Sequence, residues 1–510
     1  MIENLQLGLE TALSAQNLLW CFVGVLAGTV IGMLPGLGSA TGVAILLPVT
    51  LSMEPVTALI MLAGIYYGSQ YGASTSSILL ATPGDSSSVV LTLDGYRMAR
   101  RGRAGAALAI AAIASFVASI LTLVALLVVA QPIADIALRF GPPEMLAIII
   151  LGLSTIVTFA GQNVLRGIMM AAVGLLASMV GIAAGFPVAR FTFGSVNLLG
   201  GLEFVAVMIG LFAVAEVVHQ IHRGGEKPIR AGFRDLVLNR TELGRTFAPA
   251  LRGSGLGFGL GVLPGAGATL ASFMSYGLEG QVGRHRKELG SGAVEGVAGP
   301  EAANNAAANA SFIPTLTLGV PGSGTTAILL GAFVIFGLQP GPLLFEQHPD
   351  LVWGLLVSFF VGNLILLVLN LPLAPVFAQV LRVPYSYLYP LILLLGFVGA
   401  YAIGNNTFAL WVVLVAGVVG YFMKRFDFPA APFVLGLVLG PLMERALDQT
   451  SSMGRGDLTI LVDRPLSATI LGAAVLAFVL PPVLREIRSR RRRTAARAEE
   501  AVDADGGAHV

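Results

Sequence analysis

Charged residues punctuate the chain so sparsely that the gaps between them outline its elements. Uncharged, mostly apolar stretches fill residues 11–53, 55–84, 104–134, 145–165, 167–189, 253–278, 302–345, 351–381, 383–423 and 465–484. The stretches at 145–165, 167–189 and 465–484 each have the length of one membrane crossing, which takes about 20 apolar residues. Those at 11–53, 302–345 and 383–423 have room for two passes, or for one pass and a re-entrant piece. The pattern predicts an all-α polytopic membrane protein with roughly 11–14 membrane segments. Pro-Gly clusters interrupt it, as at Leu34-Pro35-Gly36-Leu37-Gly38 and Thr82-Pro83-Gly84-Asp85-Ser86-Ser87-Ser88. In lipid every backbone polar group needs a partner, so broken helices survive only inside protein or against a watery cavity. Proline strengthens that reading because it removes a donor and breaks a helix. Scattered glycines such as Gly167 and Gly174 read instead as helix-packing positions.

The interruptions repeat. Gly32-Met33-Leu34-Pro35-Gly36-Leu37-Gly38 returns as Gly261-Val262-Leu263-Pro264-Gly265-Ala266-Gly267, 229 residues later. The segment Ser74 to Ser86 returns as Thr315 to Thr326, with Pro83 matching Pro321 at an offset of 238. The nine-residue difference (238 − 229) fits an insertion around the charged loop at 284–288. Two ordered motifs at nearly constant offset indicate duplication. The basic residues then predict the relative orientation of the halves. None occurs at 39–82, whereas the matching region of the second half carries Arg284, Arg286 and Lys287. Arg97, Arg100, Arg101 and Arg103 follow the first Pro-Gly, whereas no Lys or Arg follows the second until Arg382. Cytoplasmic loops collect Lys and Arg, so this antisymmetry predicts two inverted repeats with discontinuous helices or re-entrant hairpins.

Composition narrows the class. Of 510 residues, 55% are hydrophobic and 11% charged, less than half the charge of an average soluble protein. A soluble enzyme and a disordered chain are both excluded. A net charge of +2 gives no reason to expect a nucleic-acid partner, and a single cysteine, Cys21, excludes a disulfide framework. The start, Met1-Ile2-Glu3-Asn4, lacks the basic region of a cleavable signal peptide. The expected organisation is an N-terminal membrane repeat (1–221), a cytoplasmic polar linker (222–246), a C-terminal inverted repeat (247–484) and an Arg-rich disordered tail (485–510). The tail is expected in the cytoplasm and the N-terminus outside.

Candidate chemistry lies in the broken segments. Pro83-Gly84-Asp85-Ser86 and Pro321-Gly322-Ser323-Gly324-Thr325-Thr326 read as two half-helix starts, whose free N–H groups suit a carboxylate or phosphate. Ser74, Thr75, Ser76 and Ser77 precede the first and join the expected binding surface. Pro35, Gly36 and Gly38, with Pro264, Gly265 and Gly267, are the expected hinge or hairpin positions. The run Gly299-Pro300-Glu301 reads as a helix start with proline in its first turn. Asn304, Asn305 and Asn309 on that helix suit either a polar wall of the site or hydrogen-bonding glue between helices. Glu301 is either a cation or proton site or a partly exposed carboxylate at a helix start. Asp85 would cap a helix yet repel an anion unless a cation neutralises it, and with Glu301 and Asn305 it forms the candidate coupling set. Glu203 and Glu216 are expected in a pair or at a helix end. Tyr66, Tyr67 and Tyr71 suit an interfacial or packing cluster, or substrate contact. The five histidines lie in or beside charged loops or the tail, so no metal site is expected. The scarcity of fixed cations leaves backbone dipoles as the expected means of holding an anion.

Several of these motifs resemble the large membrane subunit of the tripartite tricarboxylate transporters, the TctA type. They are Leu34-Pro35-Gly36, the run Tyr71 to Ser88, Leu93-Asp94-Gly95-Tyr96-Arg97-Met98-Ala99, and the run Glu295 to Thr326. The resemblance extends to about residue 480. It implies a permease of the bacterial inner membrane, with no cofactor and no enzymatic activity. Such a permease takes up citrate or another small carboxylate by symport with Na⁺ or H⁺. Its implied partners are a periplasmic solute-binding protein and a small four-span membrane subunit. The chain departs from the family at Ala73, where Gly is frequent, and at Ala81, where Asn is frequent. The second departure puts a side-chain contact at 81 in doubt, though not the backbone donors after Pro83.

Overall fold

The computed structural model describes residues 2–479, apart from 35, 138–139, 155–163, 184–187, 221–228, 230–231, 264–266, 378, 380, 382–384 and 405. Pro35, Pro264, Gly265, most of the first half of the polar linker and the Arg-rich tail therefore lie outside the described residues. The described chain is helical, apart from one hairpin in which Gly181–Ile182 pairs antiparallel with Ala189–Arg190. That hairpin revises one expectation. The 167–189 stretch is not a single crossing, because its helix, Val164–Ser178, stops at Ser178. The polar linker is shorter than its charges suggested, since the next helix begins at Arg240, capped by Asn239 and Glu242.

Among the described residues five helical stretches are long and apolar enough to cross a bilayer: Ala15–Met33, Leu91–Val129, Pro349–Asn370, Thr407–Arg425 and Ala430–Met453. Seven shorter apolar helices of 10–17 residues accompany them, among them Gly38–Thr50 and Gly324–Ile335. Short apolar helices are what interrupted spans produce when the break is sheltered by protein.

Two helix pairs form the frame, and they are packed alike. In the first half Ala15–Met33 lies against Pro55–Leu80; in the second, Arg240–Val262 lies against Glu295–Ala310. A methyl group added at Gly24, Gly28 or Gly32 would fall 2.3, 2.4 or 2.2 Å from the carbonyl oxygens of Met61, Ile65 and Ser69. Added at Gly253, Gly257 or Gly261, it would fall 2.3, 2.3 or 2.5 Å from those of Gly299, Ala303 and Ala307. The glycines are related by the 229 offset and their partners by the 238 offset. Glycine every fourth residue lines one helical face and lets backbones touch. The duplication read from the motifs thus recurs as a packing register.

The breaks repeat as well. Pro55–Leu80 ends at Ala81 in the left-handed region (φ 54°), and Phe312–Leu318 ends at Gly319 (φ 67°), 238 residues later. Glycine reaches that region freely, whereas alanine is strained there. Gly38 and Gly267, the equivalent starts of the next helices, have φ of 66° and 64°. The nine extra residues of the second half fall where Gly267–Val282 outlasts its counterpart Gly38–Thr50 and where residues 283–292 replace the four-residue connection 51–54.

The longer connection is tied down by charge. Arg245 bridges Glu288 and Glu295, Arg252 binds Glu279, and His285 Nδ1 lies 2.7 Å from Glu295. Asp94 clasps it from the other half. Its fully buried carboxylate accepts from the backbone N–H groups of Gly290 (2.9 Å), Gly292 (2.6 Å) and Ala293 (2.9 Å), and from the Tyr276 hydroxyl (2.9 Å). The halves also meet through aromatic rings, with Tyr66 against Phe312 and Tyr67 against Phe359.

Candidate functional site

A cavity of about 850 Å³ opens where the interrupted segments of both halves converge. Gly36, Gly38 and Ser39 line it from the first Leu-Pro-Gly break, and Gly267 and Thr269 from its copy. Asp85 and Ser86 line it from the first Pro-Gly segment, and Ser323, Gly324 and Thr325 from the second. Phe212, Glu216, Lys424 and Ala431 complete the lining.

The broken segments hold one another across the halves. Asp85 Oδ2 accepts from the backbone N–H (3.2 Å) and hydroxyl (3.0 Å) of Ser39, and Thr325 Oγ1 lies 2.9 Å from that hydroxyl. Asp85 Oδ1 accepts from the Ser87 backbone N–H at 3.1 Å. Ser87 Oγ donates to Gln70, and Ser86 Oγ lies 2.8 Å from Thr269 Oγ1. Each Pro-Gly segment therefore contacts a Leu-Pro-Gly loop of the other half. Close backbone approach makes this possible. A methyl group on Gly84 would lie 1.9 Å from Gly32 O, and one on Gly322 would lie 2.7 Å from the Ser311 side chain.

The two Pro-Gly segments are not equal half-helix starts. Ser323 caps the twelve-residue helix Gly324–Ile335, with a reciprocal capping box to Thr326. That helix directs its first N–H groups toward the cavity side where Ser323 and Thr325 stand. After Asp85 there is only the three-residue 3₁₀ turn Ser86–Ser88 before Leu91–Met98. Three residues build no appreciable dipole, and the side chain of Asp85 already occupies the donor that a ligand would use.

The other expected residues stand apart from this cavity. Ser74, Thr75, Ser76 and Ser77 are buried in the last turns of Pro55–Leu80, donating to carbonyls of Gln70, Tyr71 and Ala73. Pro83, Thr326, Pro321 and Gly322 lie behind the lining. Glu301 is 1% exposed within Glu295–Ala310, and Pro300 is inside that helix. This corrects both the helix start expected at Pro300 and the alternative of a partly exposed Glu301. Glu301 accepts from Ser74 Oγ and Ser115 Oγ at 2.7 Å each and from Asn305 Nδ2 at 3.1 Å. Asn305 is thereby committed to this buried carboxyl network. Asn304 and Asn309 are buried with neither amide atom hydrogen-bonded. By the 238 offset, Asn304, Asn305 and Asn309 occupy the positions of Tyr66, Tyr67 and Tyr71. Those tyrosines are buried rather than interfacial, and Tyr66 reaches the cavity with its hydroxyl 3.2 Å from Ser323.

Two lining residues outside the expected set are charged. Lys424, in the last turn of Thr407–Arg425, forms an ion pair with Glu216. Glu203, by contrast, stands at the N-cap of Phe204–Met208. Nothing in the linear pattern pointed to Lys424, which reads there as the charge closing an apolar span.

A polytopic helical membrane protein with paired broken helices around a shared cavity has the organisation of a membrane transport component. A family model described as the tripartite tricarboxylate transporter TctA family matches residues 18–435, and the chain belongs to that family. It is 46% identical over 492 residues to an uncharacterized 52.8 kDa protein in the TAR-I ttuC' 3' region of Agrobacterium vitis, covering 96% of this chain and 98% of that one. An uncharacterized protein in the TAR-II ttuC' 3' region of the same organism is 45% identical over 232 residues, covering 46% of this chain and 96% of that one. No solved structure matches.

Proposed function

We propose that the chain is the permease of a three-part secondary uptake system in the bacterial inner membrane. A periplasmic binding protein would deliver a tricarboxylate or other small carboxylate, with a small four-span subunit completing the membrane complex. The observation that carries this reading is the single cavity lined by both Leu-Pro-Gly loops and both Pro-Gly segments. Electrostatics favours cation coupling. The charged residues among the described lining are Asp85, Glu216 and Lys424, two carboxylates and one ammonium, which sum to −1. A di- or tricarboxylate entering such a space needs cations to enter with it. Asp85 and the Glu301–Ser74–Ser115–Asn305 network are the proposed sites where Na⁺ or H⁺ acts.

Reconstituted with both partners, the protein should accumulate a labelled carboxylate from a di- and tricarboxylate panel only under an imposed Na⁺ or proton gradient. Absence of gradient-dependent uptake across the panel would defeat the reading. The two halves are proposed to be inverted repeats, which the antisymmetric basic residues support. Reporter fusions at residues 53 and 286 should therefore report opposite sides of the membrane. The same side for both would remove the inversion while leaving the duplication.

A further inference from the structure

The Glu216–Lys424 pair is the feature of the cavity that its hairpins do not explain. It is carried by elements outside both frame pairs. Gly417 and Gly420 bring Thr407–Arg425 onto the 209–214 segment, where a methyl group on Gly420 would lie 2.7 Å from Leu211 O. This contact sets Lys424 beside Glu216. The two side chains are not equally presented. The Glu216 side chain is 3% exposed and that of Lys424 is 34% exposed, and both border the cavity. The carboxylate therefore stands behind and the ammonium in front, facing the space between the hairpins. Lys424 is the one cation among the described lining residues.

We propose that Lys424 is the charged anchor for one carboxylate of the transported anion, and that Glu216 holds its ammonium in position until that carboxylate arrives. The inference rests on the transport reading above and deepens it. A lone ammonium facing a low-dielectric cavity is costly, and a partner carboxylate behind it offsets that cost. An ammonium has three donors, so Lys424 keeps hydrogen-bonding capacity toward the cavity while it is paired. The entering carboxylate competes with Glu216 for the same charge, so its binding is weaker than at an unpaired lysine and its release is easier. The N-terminus of Gly324–Ile335, with Ser323 and Thr325, lines the same cavity and could take a second anionic group. Two such poles suit a ligand with two or more carboxylates over one with a single carboxylate.

The test uses the complete reconstituted system with labelled citrate and the carboxylate panel. Lys424→Gln should raise KM about tenfold or more with Vmax changed far less, the loss expected for one charge-assisted bond. Lys424→Arg should restore much of the affinity, and Glu216→Gln should lower KM. The double variant E216Q/K424Q leaves no buried unpaired charge, so it separates lost binding from lost folding; it should keep the high KM. Citrate-dependent thermal stabilisation of the purified chain gives a second readout, present in the wild type and absent in both Lys424→Gln variants. Wild-type uptake with an unchanged KM in Lys424→Gln and in the double variant would overturn the anchor while leaving the transport reading intact. No wild-type uptake and no citrate stabilisation would overturn both.

Discussion

Leucine in place of Gly257 should unfold the second-half frame, whereas leucine two positions later, at Gly259, should be tolerated. The two glycines share one helix. A methyl group at Gly257 would lie 2.3 Å from Ala303 O and 2.8 Å from its Cα, whereas nothing lies within 4 Å of one at Gly259. Overpacking a core costs about 1–3 kcal/mol where side chains can shift. At Gly257 the obstacle is the backbone of Glu295–Ala310, so relief requires the helices to separate. Separation would also disturb the Glu301 network carried by that helix. Gly28, with Ile65 O at 2.4 Å, is the first-half equivalent and should respond as Gly257 does. Thermal denaturation of detergent-purified variants measures the difference. Equal melting temperatures for the Gly257 and Gly259 variants would show that the close backbone register does not carry the frame.

Removing the Asp94 carboxylate should have an effect of similar size by the opposite route, by leaving donors unpaired. Asp94 is fully buried and receives three backbone N–H groups from the 290–293 turn, plus the Tyr276 hydroxyl. Gly290 (φ 75°) and Gly292 (φ 93°) give that turn the left-handed geometry which points its N–H groups at one carboxylate. Asp94→Ala would strand them, at a cost of about 3–5 kcal/mol by analogy with breaking a buried charged pair. Asp94→Asn keeps one acceptor oxygen and turns an NH₂ toward donors, so it should fall between the wild type and Asp94→Ala. Melting temperature and protease cleavage at the 283–294 connection report the loss. A wild-type melting point for Asp94→Ala would mean that the turn is held from elsewhere.

Much of the frame was legible before any coordinates. The 229 and 238 offsets reappear as glycine faces, left-handed helix ends and capped restarts, because these features depend on local chemistry. Glycine every fourth residue marks a close-packed face, and Pro-Gly marks a break, whichever helices lie nearby. Local chemistry also misled. Pro300 looked like a helix start, yet the helix begins at Glu295 and runs through it. Position i − 4 is Gly296, itself packed against Asp94, and tertiary contacts sustain the turn. The first Pro-Gly segment looked equivalent to the second, but an aspartate at its cap and only a 3₁₀ turn behind it make it a clasp between loops.

The sequence by itself determined the class of the protein, its repeated motifs and the position of its breaks, since hydrophobic length and proline act over a few residues. The tertiary structure alone decided which polar groups share a space. Glu301 belongs to a buried network with Ser74 and Ser115, while Asp85 and Lys424 line one cavity. These groupings depend on helices far apart in the chain meeting in three dimensions. Burial sets the energetic weight of a charge, and in a linear sequence Lys424 is indistinguishable from any basic residue that ends a span.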